Sequence, residues 1–256
     1  MSGHSKWAQI RRSKGVNDSR RGQLFTRLGR EIVVAVREGN SGDTGMNFRL
    51  RLAVQRARDA NMPLDNIERT IKRALGGNEG NNLEEITYEG YGPGGTAILV
   101  QTLTENRNRT VAEVRNAFNR NAGNMGENGC VDWLFENKGV IEVELNGHDA
   151  DELSLEAIDM GADDVEPANP GDETLVIYTD PSAAVLEKVH KALETQGYKV
   201  LKAESNLVPK TRIELSEEKT AHQAIRLIEK LEDLDDVQNV YTNADFPEEF
   251  AASYGA

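Results

Sequence analysis

The spacing of apolar residues changes near residue 80, and this change constrains the fold more than any other feature. Before it, Leu24, Leu28 and Ile32 recur at the spacing of an amphipathic helix. After it, short apolar runs such as residues 96–104 alternate with helix-type segments. A run rich in glycine and asparagine, residues 76–82, separates the two patterns. The sequence therefore predicts a helical segment followed by α+β structure.

The segment after residue 82 contains two blocks of strands and helices of the split-βαβ kind. Their order predicts an insertion, in which the strand at 96–104 completes its sheet with elements near the C-terminus. We therefore predict an α+β fold with three domains, an N-terminal helical bundle followed by two ferredoxin-like α/β sandwich domains, the third inserted in the second. The predicted domains are residues 1–80, residues 81–132 with 206–256, and the inserted residues 133–205.

Two local predictions concern the ends of elements in these blocks. Thr110 and Glu113 have the spacing of a capping box, so we expect a helix to begin with Thr110 as its N-cap. Asn137 to Gly139 has the composition of a turn, so we expect it to separate two strands.

Charge is distributed very unevenly along the 256 residues. Residues 1–75 contain 16 Lys and Arg against 7 Asp and Glu, a net charge of +9. The remaining residues contain 14 against 36, a net charge of −22, which gives −13 for the chain. A basic segment attached to an acidic body indicates a module that binds a polyanion. The alternative is a solvated basic helical face without a partner.

The first predicted helix carries its cations opposite its apolar face. On a helical wheel Arg20, Arg27, Arg30 and Arg37 fall on the side away from Leu28 and Ile32. We therefore expect this helix to bury one face and to present a stripe of guanidinium groups to nucleic acid.

The residues before this helix form a second basic element. Trp7 and Ile10 are three residues apart, so they could dock a helical turn onto the bundle while the cations face outward. Alternatively, Trp7 stacks on an unpaired base. The candidate nucleic-acid contacts of this arm and of the residues that follow it are Lys6, Trp7, Arg11, Arg12, Lys14, Arg20 and Arg21.

Arg107 and Arg109 precede a predicted helix start in the acidic body. Free N–H groups at such a start favour anions, and arginines beside them could bind phosphate. An ordinary loop between a strand and a helix explains the same residues equally well, so both interpretations stay open.

Other classes of function find little support in the sequence. "GYGPGG", residues 90–95, lacks the lysine of a phosphate-binding loop. The four histidines are scattered and Cys130 is the single cysteine, so we expect no metal site, no cofactor and no catalytic residues. We expect no enzyme, no small-molecule substrate and no membrane segment, and a cytoplasmic location. The oligomeric state stays open, with a monomer as one possibility.

Several motifs in order resemble the YebC/PmpR family of bacterial proteins, which has a mitochondrial branch of translational activators of cytochrome oxidase. They include "GHSKWAQI", "FTRLGREI", "NMPLDNIERTIKR", "YEGYGPGG", "NRNRTVAEVR" and "CVDWLFENKGVI". The resemblance implies three domains with the third inserted in the second, and it implies no enzymatic activity.

The resemblance leaves two targets open. Some members are described as DNA-binding transcriptional regulators, and others as ribosome-associated factors that assist translation through difficult sequences such as proline runs. The sequence alone does not separate duplex DNA from ribosomal RNA, because both attract the same arginines. Our primary hypothesis is a DNA-binding transcriptional regulator, and the alternative is a translation factor that binds ribosomal RNA.

Overall fold

The structure is a computed structural model that describes residues 18–76, 83–168, 173–247 and residue 250. The described residues form two compact units, one of them the continuous segment Phe135–Lys210 and the other the described residues on both sides of it. In chain order the elements are α1 (Asp18–Gly39), α2 (Phe48–Asp59), α3 (Leu64–Leu75), β1 (Glu84–Tyr91), β2 (Ala97–Thr104), α4 (Arg107–Arg120), β3 (Asn124–Met125), β4 (Phe135–Glu144), α5 (Ala150–Met160), β5 (Asp164–Val165), β6 (Thr174–Thr179), α6 (Ala183–Thr195), β7 (Lys199–Pro209), β8 (Ile213–Glu214), α7 (Glu218–Glu232), β9 (Val237–Thr242) and β10 (Ala244–Asp245).

The first three helices pack around one apolar core. Leu28 and Ile32 of α1 meet Leu50 of α2 and Ile67 of α3, as their helical spacing predicts. Asn47 joins α1 to α2, because its Oδ1 accepts a hydrogen bond from the backbone N–H of Leu50 at 3.0 Å and its Nδ2 donates to the carbonyl of Ala35 at 2.7 Å. The same side chain therefore caps α2 and holds it against α1.

A four-stranded antiparallel sheet follows in the same unit, with the strand order β3-β1-β2-β9. Strand β2 lies inside this sheet and is buried along nearly its whole length, which accounts for its continuous apolar sequence. Helices α4 and α7 pack against the sheet and against each other. Strands β8 and β10 form a separate parallel pair. The sheet is thus completed by β9, which comes after the segment Phe135–Lys210.

The unit Phe135–Lys210 contains β4, α5, β5, β6, α6 and β7 in that order, which is the ferredoxin-like sequence of elements. Its sheet has the antiparallel order β5-β6-β4-β7. The predicted turn at Asn137 to Gly139 is wrong, because β4 runs unbroken through it. Gly139 is required there by close approach, since a Cβ atom would lie 2.1 Å from Oγ1 of Thr179.

These observations confirm the predicted α+β class, with helices first and sheet domains after them. The domain boundaries proposed from the sequence stay a prediction. In the described part of the chain, none of the helices combines the length and the apolar character needed to cross a membrane.

Candidate nucleic-acid interface

The predicted basic arm lies outside the described residues. This applies to Lys6, Trp7, Arg11, Arg12 and Lys14. Arg20 and Arg21 lie in α1, but the description of their side chains does not extend to these positions. The role of these seven residues in nucleic-acid binding therefore stays a prediction.

The predicted stripe on α1 is less exposed than its position on a helical wheel suggests. Arg27, Arg30 and Arg37 are all half-buried. Nη2 of Arg37 is buried without a hydrogen-bond partner. Packing of α1 against its own unit, which a helical wheel does not include, accounts for this difference.

Arg30 differs most from the expectation of a solvent-facing cation. Its Nη2 lies 3.2 Å from Oδ1 of Asp236, and its Nη1 donates to the backbone carbonyl of Asp235. The Arg30 side chain is only 22% exposed. Its charge is therefore offset by a carboxylate near β9, and its geometry is that of a contact between α1 and the sheet.

Asp236 collects donors from three separate parts of the chain. Its side chain is 1% exposed, and its Oδ2 accepts from Nη2 of Arg109 at 2.6 Å. The same oxygen accepts from the hydroxyls of Thr104 at 3.0 Å and Thr110 at 2.7 Å. Together with Arg30, these residues form what we call the Asp236 cluster. It ties α1, β2 and α4 to the segment that leads into β9.

The Asp236 cluster determines the ionisation of its carboxylate. Burial raises the pKa of Asp236, but hydrogen bonds from Arg109, Thr110 and Thr104 and the charge of Arg109 outweigh burial and leave the pKa below its ordinary value. The hydrogen bond and charge of Asp236 in turn raise the pKa of Arg109. The carboxylate is therefore ionised wherever the protein is folded near neutral pH.

The start of α4 also differs from the prediction. The N-cap is Asn106, whose side chain accepts from the backbone N–H of Arg109 at 3.1 Å. Thr110 lies inside the helix and is occupied by Asp236, so its prediction as N-cap is wrong. Arg107 is exposed at the first position of α4, whereas the guanidinium of Arg109 binds Asp236. Of the two predicted anion ligands, only Arg107 leaves its charge without this buried carboxylate.

Helix α3 carries a group of exposed cations that sequence analysis did not select. Arg69, Lys72 and Arg73 are exposed and spaced three and four residues apart, so they share one side of the helix. Asp65 and Glu68 lie on the same surface, one turn nearer the start of α3. We call Arg69, Lys72 and Arg73 the α3 basic face. The basic character of the last turn of α3 was visible in the sequence, but only the structure places it at the surface.

A cleft of about 440 Å³ lies between α1 and α3, beside the α3 basic face. Arg30, Arg69 and Arg73 contribute to its wall, with Asn66 and Glu105. Its apolar part comes from residues such as Phe25, Val33, Met62 and Ala74. The lining of the cleft therefore combines guanidinium groups with apolar side chains.

Other arginines of the helical segment are paired within it. Arg56 of α2 lies 3.3 Å from the carboxylate of Glu31 in α1, and Arg49 pairs with Glu38. Both pairs join α1 to α2 at the edge of the core, where their side chains are partly exposed. Carboxylates of the same helical segment therefore offset part of its positive charge.

Neither a metal site nor a reactive thiol is supported by the residues that the structure describes. They contain no group of three or more His, Cys, Asp or Glu side chains that could hold a metal ion. Burial, with the nearby charge of Glu89, raises the pKa of the Cys130 thiol, which disfavours the reactive thiolate.

Comparison with known proteins matches most of the chain to the domains of one family. Residues 5–77 match the family described as the N-terminal domain of TACO1/YebC protein, and residues 83–244 match the second and third domain of TACO1/YebC. A probable transcriptional regulatory protein of Chloroflexus aurantiacus is 57% identical over 258 residues, covering 100% of both chains. One of Dehalococcoides mccartyi is 52% identical over 254 residues, covering 99% of this chain and 98% of its own.

A solved structure is also similar. The crystal structure of a conserved hypothetical protein, Aq1575 of Aquifex aeolicus, shares 46% sequence identity with a TM-score of 0.80. The match covers 90% of this chain and 92% of the Aquifex chain.

Proposed function

We propose that this chain, which belongs to the TACO1/YebC family, is a non-enzymatic DNA-binding regulator of transcription. The name shared by its relatives in Chloroflexus and Dehalococcoides supports a regulatory role. The proposal assigns DNA binding to the helical segment that precedes the first sheet.

The α3 basic face is the observation that carries this proposal. Arg69, Lys72 and Arg73 are exposed on one side of α3 and border the cleft between α1 and α3. Cations at this spacing can contact successive phosphates, and each contact releases counterions from the nucleic acid. The contacts position the backbone and do not read its sequence.

The residues predicted from the sequence take different parts in the proposed interface. Arg107 and Arg27 stay candidate phosphate contacts, as do the arm residues before α1. Arg30 and Arg109 act through the Asp236 cluster, in which Arg30 joins α1 to the segment before β9 and Arg109 joins α4 to the same segment. The proposal therefore moves the centre of the interface from α1 to α3.

The proposal of a non-enzymatic protein is supported by the residues around the cleft. The lining contains neither histidine nor cysteine, and its carboxylate is that of Glu105. General acid–base catalysis requires ionisable groups that converge on one substrate. The cleft offers mainly cations and apolar side chains instead.

Crosslinking in cells tests which nucleic acid is bound. The full chain and a variant with Arg69→Glu, Lys72→Glu and Arg73→Glu are crosslinked, and the attached DNA and RNA are sequenced. We expect the full chain to recover DNA fragments from a limited set of promoters, and the variant to lose them. Recovery of ribosomal RNA instead would assign the basic face to the ribosome and reject transcription as the primary role.

A binding measurement with purified protein completes this test. A recovered promoter duplex and a random duplex of equal length are compared at several salt concentrations. For about six neutralised phosphates the slope of log affinity against log salt is roughly −5. Equal affinity for the two duplexes would reject a sequence-specific regulator.

A further inference from the structure

Two large apolar side chains lie exposed on one helix of the unit Phe135–Lys210. Leu155 of α5 is 71% exposed, and Ile158 is 46% exposed. The two are three residues apart, so their side chains are neighbours on the helix surface. The buried residues of α5 are Leu153 and Ala157, and Leu155 lies about 160° around the helix from each of them. The helix therefore contacts its own unit through a different side from the one that carries Leu155.

Carboxylates surround this apolar pair. Asp151, Glu152 and Asp159 are all exposed. Each of them is three or four residues from Leu155 along the helix, so their Cβ atoms lie about 5–6 Å from that of Leu155. Helix α5 itself contains no lysine, arginine or histidine. We call these three acids, together with Leu155 and Ile158, the α5 face.

Contacts at both ends and in the middle of α5 hold the helix in place. At its start, Oδ1 of Asp149 accepts hydrogen bonds from two backbone N–H groups of the first turn, at 2.9 and 3.1 Å. At its end, Gly161 adopts a φ of 108°, in the left-handed region that favours glycine. Between them, Glu156 accepts a hydrogen bond from the hydroxyl of Tyr198 at 2.8 Å. A face that is already ordered loses little conformational entropy when a partner binds.

The charge of the α5 face decides what kind of partner fits. Nucleic acids and anionic membranes present phosphate groups, which these carboxylates repel. A second copy of the chain would bring the same acids against each other, because a symmetric contact pairs a patch with itself. A protein surface that combines cations with apolar side chains is attracted by both components of the face.

The helical form of the face decides the shape of that partner. Helix α5 has 11 residues, about three turns, and two helices pack by placing the ridges of one in the grooves of the other. An amphipathic helix carries its apolar side chains at intervals of three and four residues, with polar or charged residues beside them. Such a helix can cover Leu155 and Ile158 while its lysines or arginines reach the surrounding carboxylates.

We propose that the α5 face docks a basic amphipathic helix of a partner protein. Leu155 and Ile158 supply the apolar contact, and the three acids pair with lysine or arginine side chains around it. This surface is independent of the nucleic-acid interface, so it stands even if the α3 basic face proves to have another ligand. It gives the unit Phe135–Lys210 a protein-binding role.

Peptide binding to the full chain tests the proposal. The probe is a fluorescein-labelled peptide of about 14 residues, four helical turns, with leucine on one side of the helix and lysine elsewhere. Its control contains the same residues in an order that spreads the leucines around the helix. We expect the first peptide to bind with a Kd of about 10–100 μM in a fluorescence anisotropy titration, and the control to bind at least about 5-fold more weakly.

A matched pair of variants tests the apolar contact. Leu155→Gln with Ile158→Gln should weaken peptide binding about 5- to 10-fold. Met46→Gln with Leu64→Gln removes two other exposed apolar side chains and should leave the affinity unchanged. Leu155→Gln alone, at the more exposed position, should give part of the loss even if Ile158→Gln alters the folding of the unit.

A second matched pair tests the charge. Both variants replace three exposed acids by amides, either on the α5 face (Asp151→Asn, Glu152→Gln and Asp159→Asn) or in the other unit (Glu84→Gln, Glu85→Gln and Glu127→Gln). We expect the first to weaken peptide binding about 3- to 10-fold and the second to leave it unchanged. Equal affinity of all variants, or equal losses in a variant and its matched control, would overturn the proposal.

Site-specific crosslinking in cells shows what occupies the α5 face. A benzophenone amino acid replaces Leu155 or, as the control, Leu64, and the crosslinked segment is identified by mass spectrometry. We expect the label at Leu155 to capture a segment of another protein that has a net positive charge and apolar residues at helical spacing. Capture of nucleic acid or of this same chain, or of no protein beyond those captured from Leu64, would contradict the proposal.

Discussion

The Asp236 cluster and the α3 basic face use the same kind of side chain for different purposes. In the cluster, Arg30 and Arg109 meet one carboxylate that is almost fully buried, and their charge holds elements together. On α3, Arg69 and Lys72 are exposed at the surface beside Asp65 and Glu68, and the proposed function assigns their charge to an external anion. The difference teaches that a positive charge in the sequence is a candidate for nucleic-acid binding only where a buried carboxylate of the fold does not already bind it.

Removal of the buried carboxylate should have the largest effect on stability. Asp236→Asn leaves two arginines and two threonine hydroxyls without their ionised acceptor, and the loss of one partner of a buried pair costs about 3 kcal/mol. We expect the free energy of unfolding, measured by urea denaturation and circular dichroism, to fall by about that amount. The exposed Glu85→Gln is the control and should change it by less than about 0.5 kcal/mol. Equal effects of the two substitutions on the free energy of unfolding would show that the Asp236 cluster does not stabilise the fold.

Replacement of Arg30 should have a smaller effect. Arg30→Met keeps much of the length of the side chain but loses the hydrogen bonds to Asp235 and Asp236, and a bond to a charged group contributes about 1.5–3 kcal/mol. Since Arg109 and both threonines still bind Asp236, we expect a loss near the lower limit. The same denaturation experiment measures it, with Arg58→Met, at an exposed position of α2, as the control. A loss of stability no larger than that of the control would show that Arg30 does not stabilise the fold through Asp236, and it would again be a candidate for the exposed arginine stripe of α1.

The pH dependence of stability gives a separate measure of the same carboxylate. The pKa of Asp236 is lower in the folded protein than in the unfolded chain, where it is about 3.9. Its contribution is therefore complete above that pH and is lost as the pH falls through the folded value. We expect the stability difference between the wild type and Asp236→Asn to be constant above about pH 5 and to shrink in more acidic solution. A difference that grows on acidification would show that the sign of the shift is wrong.

Charge removal on α3 should have the smallest effect on folding. Exposed cations contribute little to stability, so Arg69→Gln with Lys72→Gln and Arg73→Gln should alter the free energy of unfolding by no more than about 1 kcal/mol. Thermal unfolding measured beside the wild type checks this. A large loss in the free energy of unfolding would mean that these side chains stabilise the fold, as Arg30 does.

The contrast between the two regions also shows what a sequence can and cannot predict. Helical spacing correctly predicted that Leu28 and Ile32 of α1 enter the core, because local periodicity determines which face is apolar. It could not predict that Arg30 pairs with Asp236, since 206 residues separate them and only the assembled sheet brings them together. A helical wheel implies that the face of α1 opposite the core is exposed to solvent, whereas the segment before β9 covers part of that face at Arg30.

Errors at element ends have similar causes. Thr110 satisfies the capping-box pattern, but Asn106 is an equally good cap one turn earlier, and Asp236 takes the threonine hydroxyl. Gly139 resembles a turn residue, yet it lies within β4, where it pairs with both neighbouring strands and where Thr179 leaves no space for a Cβ atom. In both places a contact distant in sequence outweighed the local signal.

The most direct test of the account compares duplex DNA binding by two variants that lose the same charge. One carries Arg69→Gln, Lys72→Gln and Arg73→Gln, and the other carries Lys188→Gln, Lys191→Gln and Lys199→Gln in the unit Phe135–Lys210. We predict that the first lowers the slope of log affinity against log salt by about 2.7 in magnitude, as expected for three lost phosphate contacts, and that the second leaves the slope unchanged. Equal changes in both variants, or none in the first, would contradict the claim that the α3 basic face binds nucleic acid.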